Sequence, residues 1–170
     1  MHATAGDGVG NGRQPDLSVA DLVSQLNKQV CASTSPEKFA TFYFGLYDDD
    51  SRVLTYTNAG HLPPILMRDG KAARLDVTGT VVGAFPFARY EERKVELRAG
   101  DLLVAFTDGI VEPENEYGEP FGEDKLVELL VRYGERESQE IIARIMETVE
   151  QWTGTADLYD DMTLLVARGI

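Results

Sequence analysis

The sequence is poor in cysteine, in cationic side chains and in long apolar runs. Cys31 is the only cysteine among 170 residues, which excludes an internal disulfide and a zinc site built from several cysteines. Lysine and arginine number 16 against 29 aspartates and glutamates, so the formal net charge is −13. Such an acidic chain repels nucleic acid, and we predict no nucleic acid partner, whereas converging carboxylates would suit a cation.

The apolar stretches fall far short of the ~20 residues that a membrane-spanning helix needs, so we predict no membrane segment. No charged stretch followed by an apolar one opens the chain, and we therefore expect no secretion signal and a cytoplasmic location. Hydrophobic residues make up 43% of the chain, which is enough for one domain with a core of its own.

The first fifteen residues are rich in glycine and polar side chains, and we predict that residues 1–15 form a flexible lead-in to a domain over residues 16–170. Ser18 is predicted to cap a helix over residues 19–31. The apolar positions of that helix recur at helical spacing: Val19, Leu22, Val23, Leu26 and Val30. Cys31 lies at its end and is predicted to be buried or half-buried, without a chemical role.

The middle of the chain reads as antiparallel strands. Residues 39–47 are aromatic and β-branched, and an acidic turn at residues 48–50 leads into an alternating return strand. A metal site at the three aspartates is possible, but acidic turns are common and we expect a plain turn. Further strands are predicted at residues 65–68, 71–75, 90–97 and 102–107, the first two joined through a turn at Asp69-Gly70.

The last third of the chain predicts two helices and a strand. The first helix covers residues 123–133, and Ser138 is predicted to cap the second. Met146 and Trp152 lie in the apolar stripe of the second helix and are assigned to the core rather than to a cofactor site. A strand over residues 162–167 closes the chain. This order is typical of an α+β fold with helices packed on a sheet or on a pair of sheets.

Carboxylates stand where two predicted strands meet their loops. Asp108 and Gly109 follow the strand at residues 102–107, and Asp160 and Asp161 precede the last strand. If these strands are neighbours, the carboxylates can converge, and oxygen ligands suit Mg²⁺ or Mn²⁺. A water bound to such a metal has a lowered pKa and can attack phosphorus. The alternative is that each aspartate only caps a turn.

Three motifs in this order resemble the PP2C-like (PPM) serine/threonine phosphatases, above all the bacterial subgroup typified by SpoIIE and RsbU. They are the segments 58–64 (NAGHLPP), 107–110 (TDGI) and 160–163 (DDMT). The likeness extends over about residues 17–168. It implies an αββα sandwich in which two antiparallel sheets face each other with helices outside. It also implies hydrolysis of phosphoserine or phosphothreonine by a water activated by Mn²⁺ or Mg²⁺.

The resemblance assigns roles to single positions. Asp108 and Asp160 match metal ligands that are needed for catalysis, and Gly109 belongs to the same metal motif. His61 matches a residue beside the metals that could orient a water or a phosphate oxygen or assist proton transfer; the alternative is a purely structural hydrogen bond. The resemblance places three further residues beside the ligands: Asn58, Gly60 and Asp161.

The resemblance also implies partners. The substrate would be a phosphoprotein, such as a phosphorylated anti-sigma-factor antagonist in a bacterial signalling pathway. Sensor domains often precede such phosphatases, so one could lie upstream. Nothing in the residues selects a particular phosphoprotein.

One family motif is in doubt. The family carries an early Gly-Asp-x-x-Gly-x-Gly motif after a strand, and its aspartate bridges two metals. Residues 6–12 match the letters around Asp7, but no apolar strand precedes them and no helix follows directly, so we interpret the match as chance. We therefore expect the first strands and the bridging aspartate to be absent. The alternative to a phosphatase is a catalytically incomplete PP2C-like module that binds a partner; a sugar- or nucleotide-binding domain has no motif behind it.

Overall fold

The computed structural model describes residues 18–35, 37–154 and 161–170. In chain order the elements are α1 Val19–Ser33, β1 Phe42–Asp48, β2 Val53–Ala59, β3 Ile65–Arg68, β4 Lys71–Arg74, β5 Arg93–Glu96, β6 Leu102–Phe106, α2 Asp108–Val111, α3 Gly122–Tyr133, α4 Ser138–Thr153 and β7 Leu164–Arg168. The predicted lead-in at residues 1–15, including Asp7, and the predicted metal ligand Asp160 lie outside the described residues.

The strands form two antiparallel sheets. One has the order β1-β2-β5 and the other the order β4-β3-β6-β7. The hairpin predicted at Asp69-Gly70 joins β3 to β4, and the acidic turn joins β1 to β2. In that turn the Asp48 carboxylate accepts hydrogen bonds from the backbone N–H and the hydroxyl of Ser51. The plain-turn interpretation is therefore the one the structure supports.

The two sheets lie face to face between helices, which confirms the predicted α+β sandwich. Leu66 and Leu103 point into the layer between the sheets, whereas their strand neighbours pack on the other face against α3 and α4. The apolar cluster under these helices includes Ile65, Val104, Phe106, Leu126, Leu130, Ile141, Ile145 and Val149. Both faces of β3 and β6 are buried, so these two strands are held rigidly at the centre of the domain.

Helix α1 covers the outer face of the other sheet through Val23, as its helical spacing predicts. A polar residue that the apolar pattern did not reveal, Asn27, is also fully buried on this face. Its amide donates to the Phe85 carbonyl at 2.9 Å, and its Oδ1 accepts from the Gly83 N–H at 2.8 Å. Cys31 is half-buried and its thiol points to Asn27. Asn27 therefore ties α1 to the loop that precedes β5.

The two predicted serine caps have different outcomes. Ser18 occupies the capping position of α1 as predicted, but its side chain makes no capping bond; its hydroxyl donates instead to the Glu92 carboxylate at 2.8 Å. Ser138 is already the first residue of α4, and Glu137 occupies the capping position. For Ser18 the side chain makes a tertiary contact in place of the capping bond, and for Ser138 the helix begins one residue earlier than predicted.

Some predicted boundaries also change. The strand predicted over residues 90–97 is regular only over β5, since Tyr90 pairs with Gly79 outside the ladder. Val95 and Leu97 nevertheless pack in the layer between the sheets. The short helix α2 was not predicted. No helix in the described ranges is long and apolar enough to cross a membrane.

Candidate functional site

The candidate site lies at one edge of the sandwich, where the chain passes from one sheet to the other. Residues 60–64 connect β2 to β3, and Ile65 at the start of β3 pairs with Val104 near the end of β6. Because β3 and β6 are antiparallel, the loop that enters β3 and the turn that leaves β6 meet at the same edge. Two of the predicted motifs are thereby brought together.

A cleft of about 220 Å³ opens between this loop and this turn. Its lining consists of Thr41, Gly60, His61, Leu62, Thr107, Asp108 and Glu112. Of the predicted site residues, Gly60, His61 and Asp108 therefore share one cleft. Asn58 and Gly109 are buried behind its lining.

Asp108 begins α2 directly after the buried strand β6, and its side chain is exposed. The Gly109 N–H donates to Asp108 Oδ1 at 2.9 Å, and the Glu112 N–H donates to the Asp108 carbonyl at 2.8 Å. The carboxylate thus sits on a rigid strand end, with one oxygen held by the backbone. Such an exposed, oriented carboxylate can accept a cation.

Glu112 is an acidic residue of the cleft that the sequence prediction missed. It is exposed and lies four residues after Asp108, one helical turn further along the chain. Side chains at this spacing occupy the same side of a helix. Had α2 been recognised in the sequence, this spacing would have identified Glu112 as a second carboxylate of the site.

The donors present fit a largely hydrated divalent cation. Mg²⁺ in proteins is usually held by one or two carboxylates together with waters and substrate phosphates, and Asp108 and Glu112 can supply those carboxylates. In the described ranges no group of three or more His, Cys, Asp or Glu side chains converges closely enough to form a metal cage. The predicted contributions of Asp160 and Gly109 to a metal site remain predictions.

The orientation of the His61 ring is defined by a neighbouring carbonyl. Nδ1 lies 2.9 Å from the Leu62 carbonyl oxygen, and because a carbonyl only accepts, Nδ1 carries the hydrogen. In the neutral ring Nε2 then has a free lone pair. His61 is half-buried at the wall of the cleft, so its structural hydrogen bond and a chemical role at Nε2 are compatible.

Asn58 holds the loop that carries His61. Its fully buried side chain accepts from the His61 N–H at 2.8 Å and donates to the His61 carbonyl at 3.1 Å. The backbone N–H of Asn58 donates to the Thr78 hydroxyl at 2.9 Å. Gly60 has φ +75°, and a Cβ there would lie 2.8 Å from Val81 Cγ1. The motif therefore needs its asparagine for the turn and its glycine for both conformation and space.

The predicted convergence of the two acidic segments is seen in the backbone. Strands β6 and β7 are paired, and beyond the last pair the Thr107 hydroxyl donates to the Asp161 carbonyl at 3.1 Å. Gly109 approaches this segment so closely that a Cβ would lie 2.6 Å from the Asp161 carbonyl oxygen. Only a glycine fits at this position, because the neighbouring segment lies against its backbone.

Comparison with known proteins decides the family. The sequence model described as Stage II sporulation protein E (SpoIIE) matches residues 3–169. The chain belongs to the SpoIIE family. The phosphoserine phosphatase RsbU of Bacillus subtilis is 28% identical over 151 residues, which are 88% of this chain and 44% of RsbU. The chain spans between 20% and 44% of the length of the curated relatives that it matches.

Solved structures confirm the predicted PP2C-like sandwich for this SpoIIE-family chain. The SiaA-PP2C domain of Pseudomonas aeruginosa superposes with a TM-score of 0.78 at 19% identity, over 89% of this chain and 61% of that chain. The catalytic domain of the serine/threonine phosphatase PstP, in complex with two manganese ions, has a TM-score of 0.65 at 18% identity, over 93% of this chain and 74% of that chain.

Proposed function

We propose that the chain is a metal-dependent protein serine/threonine phosphatase domain that hydrolyses phosphoserine or phosphothreonine. The observation that carries the proposal is the cleft at the sheet edge, where Asp108 and Glu112 share a wall with His61. Membership of the SpoIIE family and the identity to the phosphoserine phosphatase RsbU support it.

Asp108 and Asp160 are proposed to hold Mn²⁺ or Mg²⁺, with Glu112 as an additional oxygen donor and Asp161 and Gly60 beside them. When bound, such a metal lowers the pKa of a bound water and stabilises charge on the phosphoryl oxygens. The Oδ1 of the exposed Asp108 carboxylate is already held by the Gly109 N–H, which fixes the orientation of the side chain. Metal binding through the carboxylate therefore requires little rearrangement. The manganese bound by PstP supports the choice of metal.

His61 is proposed to act through Nε2. Since Nδ1 donates to the Leu62 carbonyl, the neutral ring presents an acceptor that can orient an attacking water or take its proton. The Asn58 side chain holds the His61 backbone from both sides, so the position of the ring is set before substrate arrives. His61 is therefore a candidate for both orientation and proton transfer.

The proposed substrate class is a phosphoprotein of a bacterial signalling pathway, such as a phosphorylated anti-sigma-factor antagonist. The likeness to RsbU supports this class over a small phosphorylated metabolite. The net charge of −13 disfavours nucleic acid as substrate.

The test is hydrolysis of p-nitrophenyl phosphate and of a phosphoserine peptide, with and without Mn²⁺. We expect Mn²⁺-dependent turnover that Asp108→Asn lowers by at least about a hundredfold, because one charged ligand is lost. Asp50→Asn, which removes an exposed charge from the β1–β2 turn, is the matched control and should leave turnover unchanged. Wild-type turnover by Asp108→Asn at low Mn²⁺ would contradict the assignment.

A second candidate is a PP2C-like module that binds a phosphoprotein without hydrolysing it. It is favoured by the small number of ligands that converge within the described ranges. The two candidates differ in one measurement: the module binds the phosphoserine peptide and releases no phosphate at any Mn²⁺ concentration.

A further inference from the structure

Thr107 joins the turn that carries Asp108 to residues 161–163, the described stretch that follows the predicted ligand Asp160 in the sequence. Its hydroxyl donates to the Asp161 carbonyl at 3.1 Å and accepts from the Thr163 N–H at 2.9 Å. Its backbone N–H donates to the Thr163 carbonyl at 3.1 Å. A single residue thus makes three hydrogen bonds to the stretch that leads into β7.

The Thr107 hydroxyl forms its hydrogen bonds just beyond the end of the backbone pairing between β6 and β7. The last ladder pair between β6 and β7 is Phe106 with Leu164, and one backbone bond from Thr107 extends the pairing by a residue. Beyond that bond, the Thr107 hydroxyl makes two more hydrogen bonds, to the Asp161 carbonyl and from the Thr163 N–H. Without the hydroxyl, the Thr163 N–H would lose its partner and the Asp161 carbonyl would lose this donor.

Gly109 shows how closely the two segments approach. A Cβ at Gly109 would lie 2.6 Å from the Asp161 carbonyl oxygen and 3.4 Å from the Met162 Cα. The close approach of Gly109 and the hydrogen bond from the Thr107 hydroxyl both involve the Asp161 carbonyl oxygen, and together they hold the Asp161 backbone against the turn of Asp108. A small shift of this backbone would change the separation between the Asp108 carboxylate and Asp161.

We propose that Thr107 is a positioning residue whose hydroxyl sets the distance between the Asp108 turn and the Asp161 segment, and thereby the affinity for the divalent metal. This inference rests on the proposed function, because it assumes that the metal binds between these segments. Partners that orient metal ligands typically change metal affinity by about 10–100-fold when they are removed.

The test compares Thr107→Val, which removes the hydroxyl at similar volume, with Thr107→Ser, which keeps it. Mn²⁺ binding is titrated by electron paramagnetic resonance of the free ion, a readout that is independent of turnover. We expect Mn²⁺ to bind about tenfold or more weakly to Thr107→Val, with Thr107→Ser within about threefold of the wild type. Thr148→Val removes a hydroxyl that bonds within α4 and serves as the matched control.

Hydrogen exchange adds a measurement that needs no metal. The Thr163 amide should exchange faster in Thr107→Val than in Thr107→Ser, and thermal unfolding shows whether each variant is folded. If Thr107→Val does not fold, Thr107→Ala replaces it, with the same expected loss of Mn²⁺ affinity and the same faster exchange of the Thr163 amide. If Thr107→Ser fails to fold as well, the role of the hydroxyl is overturned.

The outcomes separate this inference from the function on which it rests. Equal Mn²⁺ affinity of folded Thr107→Val and the wild type, with Mn²⁺-dependent phosphatase turnover in both, would overturn the positioning role alone. A wild-type chain that binds no Mn²⁺ would overturn the proposed metal site and the positioning role together. Weak binding by Thr107→Val that is restored in Thr107→Ser supports both.

Discussion

Arg68 and Asp101 form an ion pair at the end of the four-stranded sheet, and Arg68 also binds the other sheet. Arg68, at the end of β3, binds the carboxylate of Asp101, which directly precedes β6, through Nε and Nη2, with Nη2 and Oδ2 2.6 Å apart. The same Nη2 donates to the carbonyl of Glu96 on β5, which belongs to the other sheet. Asp101 is only 3% exposed and also accepts from the Arg98 N–H at 2.7 Å.

We expect Asp101→Ala to lower the free energy of unfolding by roughly 2–3 kcal/mol, because it leaves the Arg68 guanidinium and a backbone N–H without their partner. The loss is kept below that of a fully buried pair since the Arg68 side chain is 28% exposed and can bind water. Urea unfolding measures it. The control Glu96→Gln removes an exposed carboxylate whose ion pair with Arg98, at 3.7 Å, contributes little; a loss similar to that of Asp101→Ala would contradict the specific role of Asp101.

The same pair makes stability depend on pH. Burial raises the pKa of Asp101, but the hydrogen bonds from Arg68 and Arg98, with their charges, outweigh it and lower the pKa below its ordinary 3.8. The unfolded chain therefore takes up the proton first, and the contribution of Asp101 is present above pH 3.8 and lost as the pH falls below it. As the pH falls below 3.8, the difference in unfolding free energy between the wild type and Asp101→Asn should therefore shrink. A difference that stays constant would contradict the lowered pKa of Asp101.

Tyr43 carries a buried hydroxyl that has no hydrogen-bond partner in the described part of the chain. Burial, with a smaller contribution from neighbouring Tyr56, raises the pKa of this phenol. We expect Tyr43→Phe to leave stability unchanged or raise it by up to about 1 kcal/mol, because it removes an unpaired polar atom and keeps the ring. Urea unfolding measures the effect, with Tyr47→Phe as the exposed control. A loss of stability would show that the hydroxyl has a partner.

A comparison of Gly60 with Gly70 separates two costs of replacing a glycine: backbone strain at positive φ and a steric clash of the added Cβ. Both have positive φ, +75° and +70°, but a Cβ would collide with Val81 only at Gly60 and would meet nothing within 4 Å at Gly70. We expect Gly70→Ala to cost roughly 1 kcal/mol for conformation alone and Gly60→Ala clearly more. Gly60→Ala should also lower phosphatase turnover by displacing His61. Equal costs in urea unfolding would show that the loop accommodates the methyl group.

The placement of Asp108 on the fold could be predicted from local sequence. Asp108 and Gly109 were expected directly after the strand at residues 102–107, and they do follow β6; the turn expected at Asp69-Gly70 likewise joins β3 to β4. These predictions succeeded because they depend on neighbours in the chain: alternation, turn residues and strand termini. The cleft adds Glu112, whose place depends on α2, a helix too short to leave a periodic signal.

The burial of Asn27 could not be predicted from local sequence. Its position in α1 matched the buried stripe, but its side chain type predicted exposure, and only the approach of the Gly83–Phe85 backbone makes it a buried link. Ser18 likewise bonds Glu92, which is distant in the chain, instead of its own helix. Polar side chains find their partners in three dimensions, so local patterns cannot choose among them.

Periodicity and turn chemistry in the chain are enough to predict the α+β order, the hairpins, the three long helices and the residues from which a metal site would be drawn. Three features appear first in the folded domain: β3 and β6 lie side by side, His61, Asp108 and Glu112 therefore share a cleft, and Thr107 and Gly109 hold the Asp161 backbone. Strand pairing between distant segments depends on burial of both sheet faces and on backbone hydrogen bonds, and neither is encoded in any single stretch of residues.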